Sequence, residues 1–383
     1  MPAYEGLTWD HPRGYKALEA AAAGLSEAKD GLTIRWDRQP LEGFESHPID
    51  DLCRRYDIVV LDHPHIGEAV AKRCLRPLET LFAPQEIAAW GRDTIGPCLT
   101  SYRYAGSHWA LPLDAATQVM ALRPDLLDRD PPRTWSEVVA LPDKLPVCLS
   151  LAGPHAILSL MSISVSLGTA PGAGEPGRFL PPPAVSAALE ILRPLAARSL
   201  PAARGLNPIG ILCRMASGDD LALCPLVYGY VNYAAPRDPK ARRVAFHDAP
   251  AATATGRPGS TLGGTGIAIS RRCQATPALL DHLRWLMAPE AQTGFIPTHD
   301  GQPSRRESWQ DVAVNAAWGD FYKNCFRTLE LAWVRPRFDG YIAFQTQASA
   351  ILRDGLAEGQ GAAPIADRLQ DCYAAHRPPD AEL

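Results

Sequence analysis

The sequence predicts an α/β fold in two lobes, each a mostly parallel sheet flanked by helices. Three observations carry this. At 383 residues the chain is long enough for two domains, or two lobes of one architecture. "DIVVL" (57–61) is an unbroken apolar run, as expected of a parallel-sheet strand buried on both faces. Strand and helix patterns alternate from the start of the chain, the order that builds a parallel sheet flanked by helices.

The elements follow in order. "GYKALEAAAAGLSEAK" (14–29) puts Leu18, Ala22 and Leu25 on one helical face, with Glu19 and Lys29 off it. "LTIRW" (32–36) alternates apolar and polar residues, as a half-buried strand does. "YRYAGSHWALPL" (102–113) reads as a hairpin with Ala-Gly-Ser at its tip. "PRTWSEVVAL" (132–141) carries a capping box, Thr134 as N-cap with Glu137 three residues on. "LPVCLSLAGPHAILSLMSISVSLG" (145–168) reads as a strand, a turn, and a helix started by Pro154. The Pro/Gly-rich 168–184 is a surface loop. Helices are expected at 185–198 and 208–216, the second capped by Asn207 with Pro208 at its first position. "LALCPLVYGYVNYA" (221–234) is a strand running into aromatics, and "STLGGTGIAIS" (260–270) leads through glycines into another strand. "TPALLDHLRWLMAPEAQ" (276–292) is an amphipathic helix, and 313–375 is mostly helical.

Composition narrows the function classes. The chain is 46% hydrophobic and 21% charged with net charge −4, an ordinary globular balance that argues against a nucleic-acid partner. No stretch approaches the roughly 18 consecutive apolar residues of a membrane span, so no membrane insertion is expected. The N-terminal residues show no signal-peptide pattern. The nine cysteines are scattered without a CxxC, which fits a reducing compartment better than a disulfide framework. The sequence has no GxxxxGK[ST], HExxH or GxSxG, and its "LGGTGIAIS" glycines precede a strand rather than a helix, unlike a dinucleotide loop. No catalytic triad or cofactor is nominated.

Several segments, in order, resemble the type-1 extracellular solute-binding proteins of ABC importers, the maltose-binding-protein class. "LTWDHPRGYKAL" and "YDIVVLDHPHIGEAV" resemble its first two strands with their cleft loops. "YRYAGSHWALPLDAATQVMALRPDLL" resembles its hairpin and crossing strand, and "PRTWSEVVALP" its P-x-TW-x-E signature. "ALCPLVYGY" resembles its aromatic turn, and "ALLDHLRWLMAPEAQTGF" the helix ending in s-x-E-x-Q. The resemblance covers roughly 5–375. Here the usual YN pair after the crossing is replaced by Ala121-Leu122, and the cleft loops are rich in histidine. The resemblance implies a monomer with a periplasmic-binding-protein-like fold, an N-lobe of 1–112 plus 263–300 and a C-lobe of 113–260 plus 301–383. Hinge crossings fall near 111–116 and 259–264. It also implies an ABC permease partner and a periplasmic location; a native Met1 would instead mean the cytoplasm.

In that fold "WDHPRG" and "DHPHIG" meet at a cleft, bringing together Asp10, His11, Arg13, Asp62, His63 and His65. Carboxylates and imidazoles form paired, directional hydrogen bonds with hydroxyl-rich ligands. Arg13 suits a carboxylate or phosphate, which makes an organic acid or acidic sugar the rival to a carbohydrate or polyol. Trp9, Trp109, Tyr228, Tyr230 and Tyr341 offer faces for a sugar ring. Asp114 and Gln118 match ligand-touching positions of the family, and His155 stands at a strand-to-helix turn of the C-lobe, better placed than His108 or His299. Each has a plainer reading: Asp10 and Asp62 as turn caps before His-Pro, His65 as a surface residue, the tryptophans as core. The three imidazoles and two carboxylates are not taken as a metal site. Two alternatives to solute binding remain: a cytoplasmic enzyme using the cleft His and Asp groups for acid/base chemistry, and a cytoplasmic ligand sensor.

Overall fold

The computed structural model describes residues 3–27, 32–175 and 177–379. The chain begins with β1 (Ala3–Trp9), α1 (Pro12–Glu27), β2 (Thr33–Gln39), α2 (Leu41–Ser46), α3 (Ile49–Arg55), β3 (Ile58–Leu61) and α4 (Ile66–Ala71). β1 lies between β2 and β3 and runs parallel to both. β3 is buried on both faces, as its apolar run predicts. Ile58 and Val60 enter the core that holds Tyr4, Leu18 and Leu283, while Val59 and Leu61 enter a smaller one with Leu52, Ile66 and Leu75. The expected tail of α1 at Lys29 lies outside the described residues, as do the lobe limits expected at 1 and 383.

After α5 (Pro84–Asp93), the hairpin β4 (Arg103–Tyr104) and β5 (Ser107–His108) turns through Ala105 and Gly106. β6 (Leu111–Leu122) then runs through the middle of the molecule with all of its residues buried. Next come α6 (Trp135–Val139), α7 (His155–Ser166), α8 (Pro182–Arg198), α9 (Pro208–Ser217), β7 (Leu223–Tyr228), β8 (Ala245–His247), β9 (Leu262–Ile269) and α10 (Pro277–Leu286). From 111 to 117, β6 pairs with β9, whose other edge pairs with β3. From 118 to 122 it pairs with β7 and β8, all antiparallel. One sheet therefore runs through two lobes in the order β2-β1-β3-β9-β6-β7, and β6 and β9 are the strands that cross. Gly264 permits the close crossing. Its φ is 87°, and a Cβ there would sit 2.3 Å from the Asp114 carbonyl oxygen.

The second lobe has its own core, formed by α7, α8 and helices Tyr341–Ala357 and Ala362–His376. α7 is apolar all round and buried all round. Its serines turn their hydroxyls to acceptors, including Ser159 to the Ser150 carbonyl and Ser162 to Gln118. The Thr134–Glu137 capping box is present, and Asn207 caps α9 by accepting from the Gly210 N–H.

The sequence reading errs in two places. Residues 145–151 form no strand, only a parallel bridge from Val147 to Leu223; Pro146 has no N–H to continue a ladder. α10 stops at Leu286 shortly before Pro289, and Glu290–Phe295 continues as a π-helical turn. Within 313–375, the stretch 331–340 leaves the helical path, and it carries a key arginine. No described helix is long and apolar enough to cross a membrane.

Candidate ligand-binding cleft

The ends of β1, β3 and β7 and the crossing strands enclose a cavity of about 50 Å³, whose walls include Trp9, Arg13, Glu45, Asp62, Tyr228 and Tyr230. A larger hollow of about 630 Å³ lies between α1 and α10. Its wall is almost wholly alanine, leucine and aromatic carbon, whereas polar groups converge on the cleft, as ligand recognition requires.

Two arginines organise the cleft. Arg13, in the first turn of α1, donates through Nε to Asp114 Oδ1 at 2.9 Å and through Nη2 to Asp114 Oδ2 at 2.5 Å. Its third donor, Nη1, reaches the Gly229 carbonyl at 3.1 Å. The guanidinium also sits 4.8 Å from the Tyr230 ring centre and 5.5 Å from that of Trp9. Arg335 comes from the non-helical 331–340 stretch. It pairs with Asp62 and donates to the Leu262 carbonyl. Burial alone would raise the Asp62 carboxyl, but Arg335 and His63 outweigh it and hold the group well below the usual carboxylate range.

The histidines take different places. His11 stacks on Trp9 with ring centres 5.2 Å apart and accepts from the Arg13 N–H through Nδ1. Burial, then Arg13 and Lys16, push it down to about 3. His63 is fully buried with Nδ1 3.0 Å from Asp62 Oδ1. Burial holds it down to about 4 against the pull of Asp62. His65 is buried rather than superficial, and burial lowers it too. His155, the first residue of α7, lies edge-on to Tyr228. Its Nε2 is 3.5 Å from Glu45 of α2, a contact between elements of opposite lobes. Burial, then Asp62, push Glu45 up to about 8; burial, then Arg335, push His155 down to about 3.

Gln118 accepts through Oε1 from Ser162 and Thr261, and the Thr261 hydroxyl lies 3.2 Å from that of Tyr228. Tyr341 is buried between Phe338 and Phe344, with its hydroxyl near enough to Arg335 to feel its charge. Among the described residues, several buried polar atoms around the cleft have no hydrogen-bond partner: Trp9 Nε1, both ring nitrogens of His155, Gln118 Nε2 and the Tyr341 hydroxyl. Such atoms are costly to leave unmet.

The structure does not bring every expected residue to the cleft. Asp10 is exposed on the outer face, 3.6 Å from Arg38. It follows the last residue of β1, and its N–H is bound to the Gln39 carbonyl at the sheet edge. Trp109 is tied to the Tyr104 carbonyl in the hairpin, His108 to Glu79, and His299 lies against the Phe295 carbonyl. Glu45 and Arg335 were missed. Neither sits in a motif: Arg335 fell within a stretch read as mostly helical, and the segment bearing Glu45 offered no pattern to read. The described residues contain no group of three or more His, Cys, Asp or Glu able to hold a metal ion.

The chain has the fold of the solute-binding proteins of ABC transporters. It is similar to such a protein from Agrobacterium radiobacter K84 in complex with ribitol, at TM-score 0.79 and 20% identity over 97% of this chain and 98% of that one. It is equally similar to maltose-bound MalE3 of T. maritima, at TM-score 0.79 and 15% identity over 97% and 98%. A solute-binding protein from Agrobacterium vitis S4 with bound D-mannitol matches at TM-score 0.74 and 16% identity over 97% of each chain. No protein-family model matches the sequence, and neither does any curated protein.

Proposed function

We propose that this chain is the solute-binding protein of an ABC importer and captures a small, neutral, polyhydroxylated molecule, a sugar or polyol, by lobe closure. The unmet polar atoms grouped around an aromatic-walled cleft between the lobes carry this reading. Hydroxyl groups can both donate and accept, so a polyol suits a site whose unpartnered polar atoms include both donors and acceptors. Structures of the same fold with ribitol, maltose and D-mannitol support it.

Charge pairing favours a neutral ligand over an organic acid. Arg13 is committed to Asp114 and Arg335 to Asp62, so neither cation is free to clamp a carboxylate. The cavity, about 50 Å³, is far below the roughly 300–1,000 Å³ of typical ligand sites. The lobes must therefore part to admit solute, and we place the lobes at 1–112 plus 263–300 and 113–260 plus 301–383, hinged near 111–116 and 259–264. Acid/base chemistry has less support, since Asp10 faces outward and Asp62 and Asp114 are engaged.

Isothermal titration with ribitol, D-mannitol, maltose and a wider hydroxylated panel, against malate and other dicarboxylates, tests the reading. Heat with a hydroxylated compound and none with the acids is expected. Heat with acids alone, or with nothing in either set, would overturn it.

A further inference from the structure

All nine cysteines are free thiols, and four of them stand in two pairs. Cys148 and Cys224 follow the bridged residues Val147 and Leu223 on parallel neighbouring segments. They therefore lie side by side, and both are fully buried. Cys53 of α3 belongs to a small core and Cys74, just beyond α4, packs against the same core, each near enough to influence the other's titration. Cys74 Sγ also lies 3.5 Å from the Ala69 carbonyl. The pairs differ in access: Cys53 is buried, but Cys74 is partly exposed.

We propose that Cys53 and Cys74 are a redox-active dithiol that closes to a disulfide in the folded protein and staples the segment bearing Asp62, His63 and His65. The roles are unequal. Cys74 is the more exposed sulfur, as an attacking cysteine must be, and the buried Cys53 is the resolving one. With a small-molecule disulfide such as glutathione disulfide as oxidant, the Cys74 thiolate attacks one sulfur and expels a glutathione thiolate. The Cys53 thiolate then attacks Cys74 Sγ in the mixed disulfide and expels the second. Two electrons pass from the cysteine pair to glutathione, and the two thiol protons leave with the two glutathione products.

The bond would close the chain from α3 to the end of α4 around β3 and the Asp62–His65 turn. A cross-link of that kind limits the unfolded chain and steadies what it encloses. The inference stands without the proposed ligand, because it needs only the two sulfurs and their access.

The test is to incubate the folded full-length chain with glutathione disulfide, alkylate after denaturation, and map the peptides by mass. Two of the nine thiols should disappear into a Cys53–Cys74 linked peptide, with Cys148 and Cys224 still alkylated. Cys53→Ser should stop at a glutathione adduct on Cys74, and Cys74→Ser should prevent the reaction at either position. The oxidised wild type should melt at a higher temperature than the reduced protein. Nine alkylated cysteines after oxidation, a persistent adduct on wild-type Cys74, or linkage of Cys148 to Cys224 in its place would each overturn the proposal.

Discussion

At the residue scale, the cleft depends on guanidinium groups that reach carboxylates on distant segments. Arg13 and Asp114 are almost wholly buried, so their charges are screened little by water. Removing one partner leaves the other as an uncompensated buried charge, a cost of roughly 3–5 kcal/mol. Arg13→Ala should lower the unfolding free energy, read from denaturant titration, by that amount, and the Arg13→Ala, Asp114→Ala double variant should lose less than the two single variants summed. Additive losses would show that the pair is not coupled. Arg13 and Asp62 were legible because each lies in a loop or first helical turn after a strand, where local pattern points to a cleft, and Asp114 only through the family resemblance. Arg335 was not, because its partner Asp62 lies 273 residues away and no local spacing records such a pairing. Glu45 was hidden in the same way. Its meaning comes from His155, on the far side of the cleft.

At the element scale, the crossing of β6 and β9 leaves no room for a side chain at Gly264. Gly264 holds a positive φ with the Asp114 carbonyl in the space a side chain would need. Gly264→Ala combines left-handed strain, of order 1–3 kcal/mol, with a clash against backbone that cannot turn aside. Thermal melting should show a larger loss for Gly264→Ala than for Gly106→Ala, where a similar positive φ brings the same strain but no atom lies within 4 Å. Equal losses at both positions would leave strain alone as the cause. The elements that could be read from sequence were those whose start is written in side chains: α6 by Thr134 and Glu137, α9 by Asn207 and Pro208. Residues 145–151 were misread because apolar composition fits any buried extended segment, while pairing depends on a free N–H that Pro146 lacks.

At the scale of the whole molecule, the lobe closure proposed above would form the Glu45–His155 contact, and this would couple the proposed binding to pH. Around the pair lie Asp62, Arg335 and Glu42 on the Glu45 side and Arg335, Arg353 and Tyr228 on the His155 side. With the lobes apart, both groups should titrate near their ordinary values, about 4.3 and 6.5. With the lobes closed, burial pushes Glu45 up to about 8 and His155 down to about 3, so the pair holds one proton throughout that interval. Between those two ordinary values the open pair also holds one proton, and closure neither takes up nor releases any. Above the ordinary histidine value the open pair holds none, so closure takes up a proton and weakens as pH rises. The limit is tenfold per pH unit until Glu45 ionises in the closed form. Below the ordinary glutamate value the open pair holds two protons, so closure releases one and weakens as pH falls. Ligand affinity should therefore be greatest in mildly acidic solution and decline along both limbs. Glu45→Gln should abolish the alkaline limb and start the acid limb already at the ordinary histidine value, and His155→Gln should abolish the acid limb and start the alkaline limb already at the ordinary glutamate value. Titrations across pH read this directly, and a wild-type affinity unchanged between neutral pH and the raised Glu45 value would show that the two lobes do not share a proton on closing.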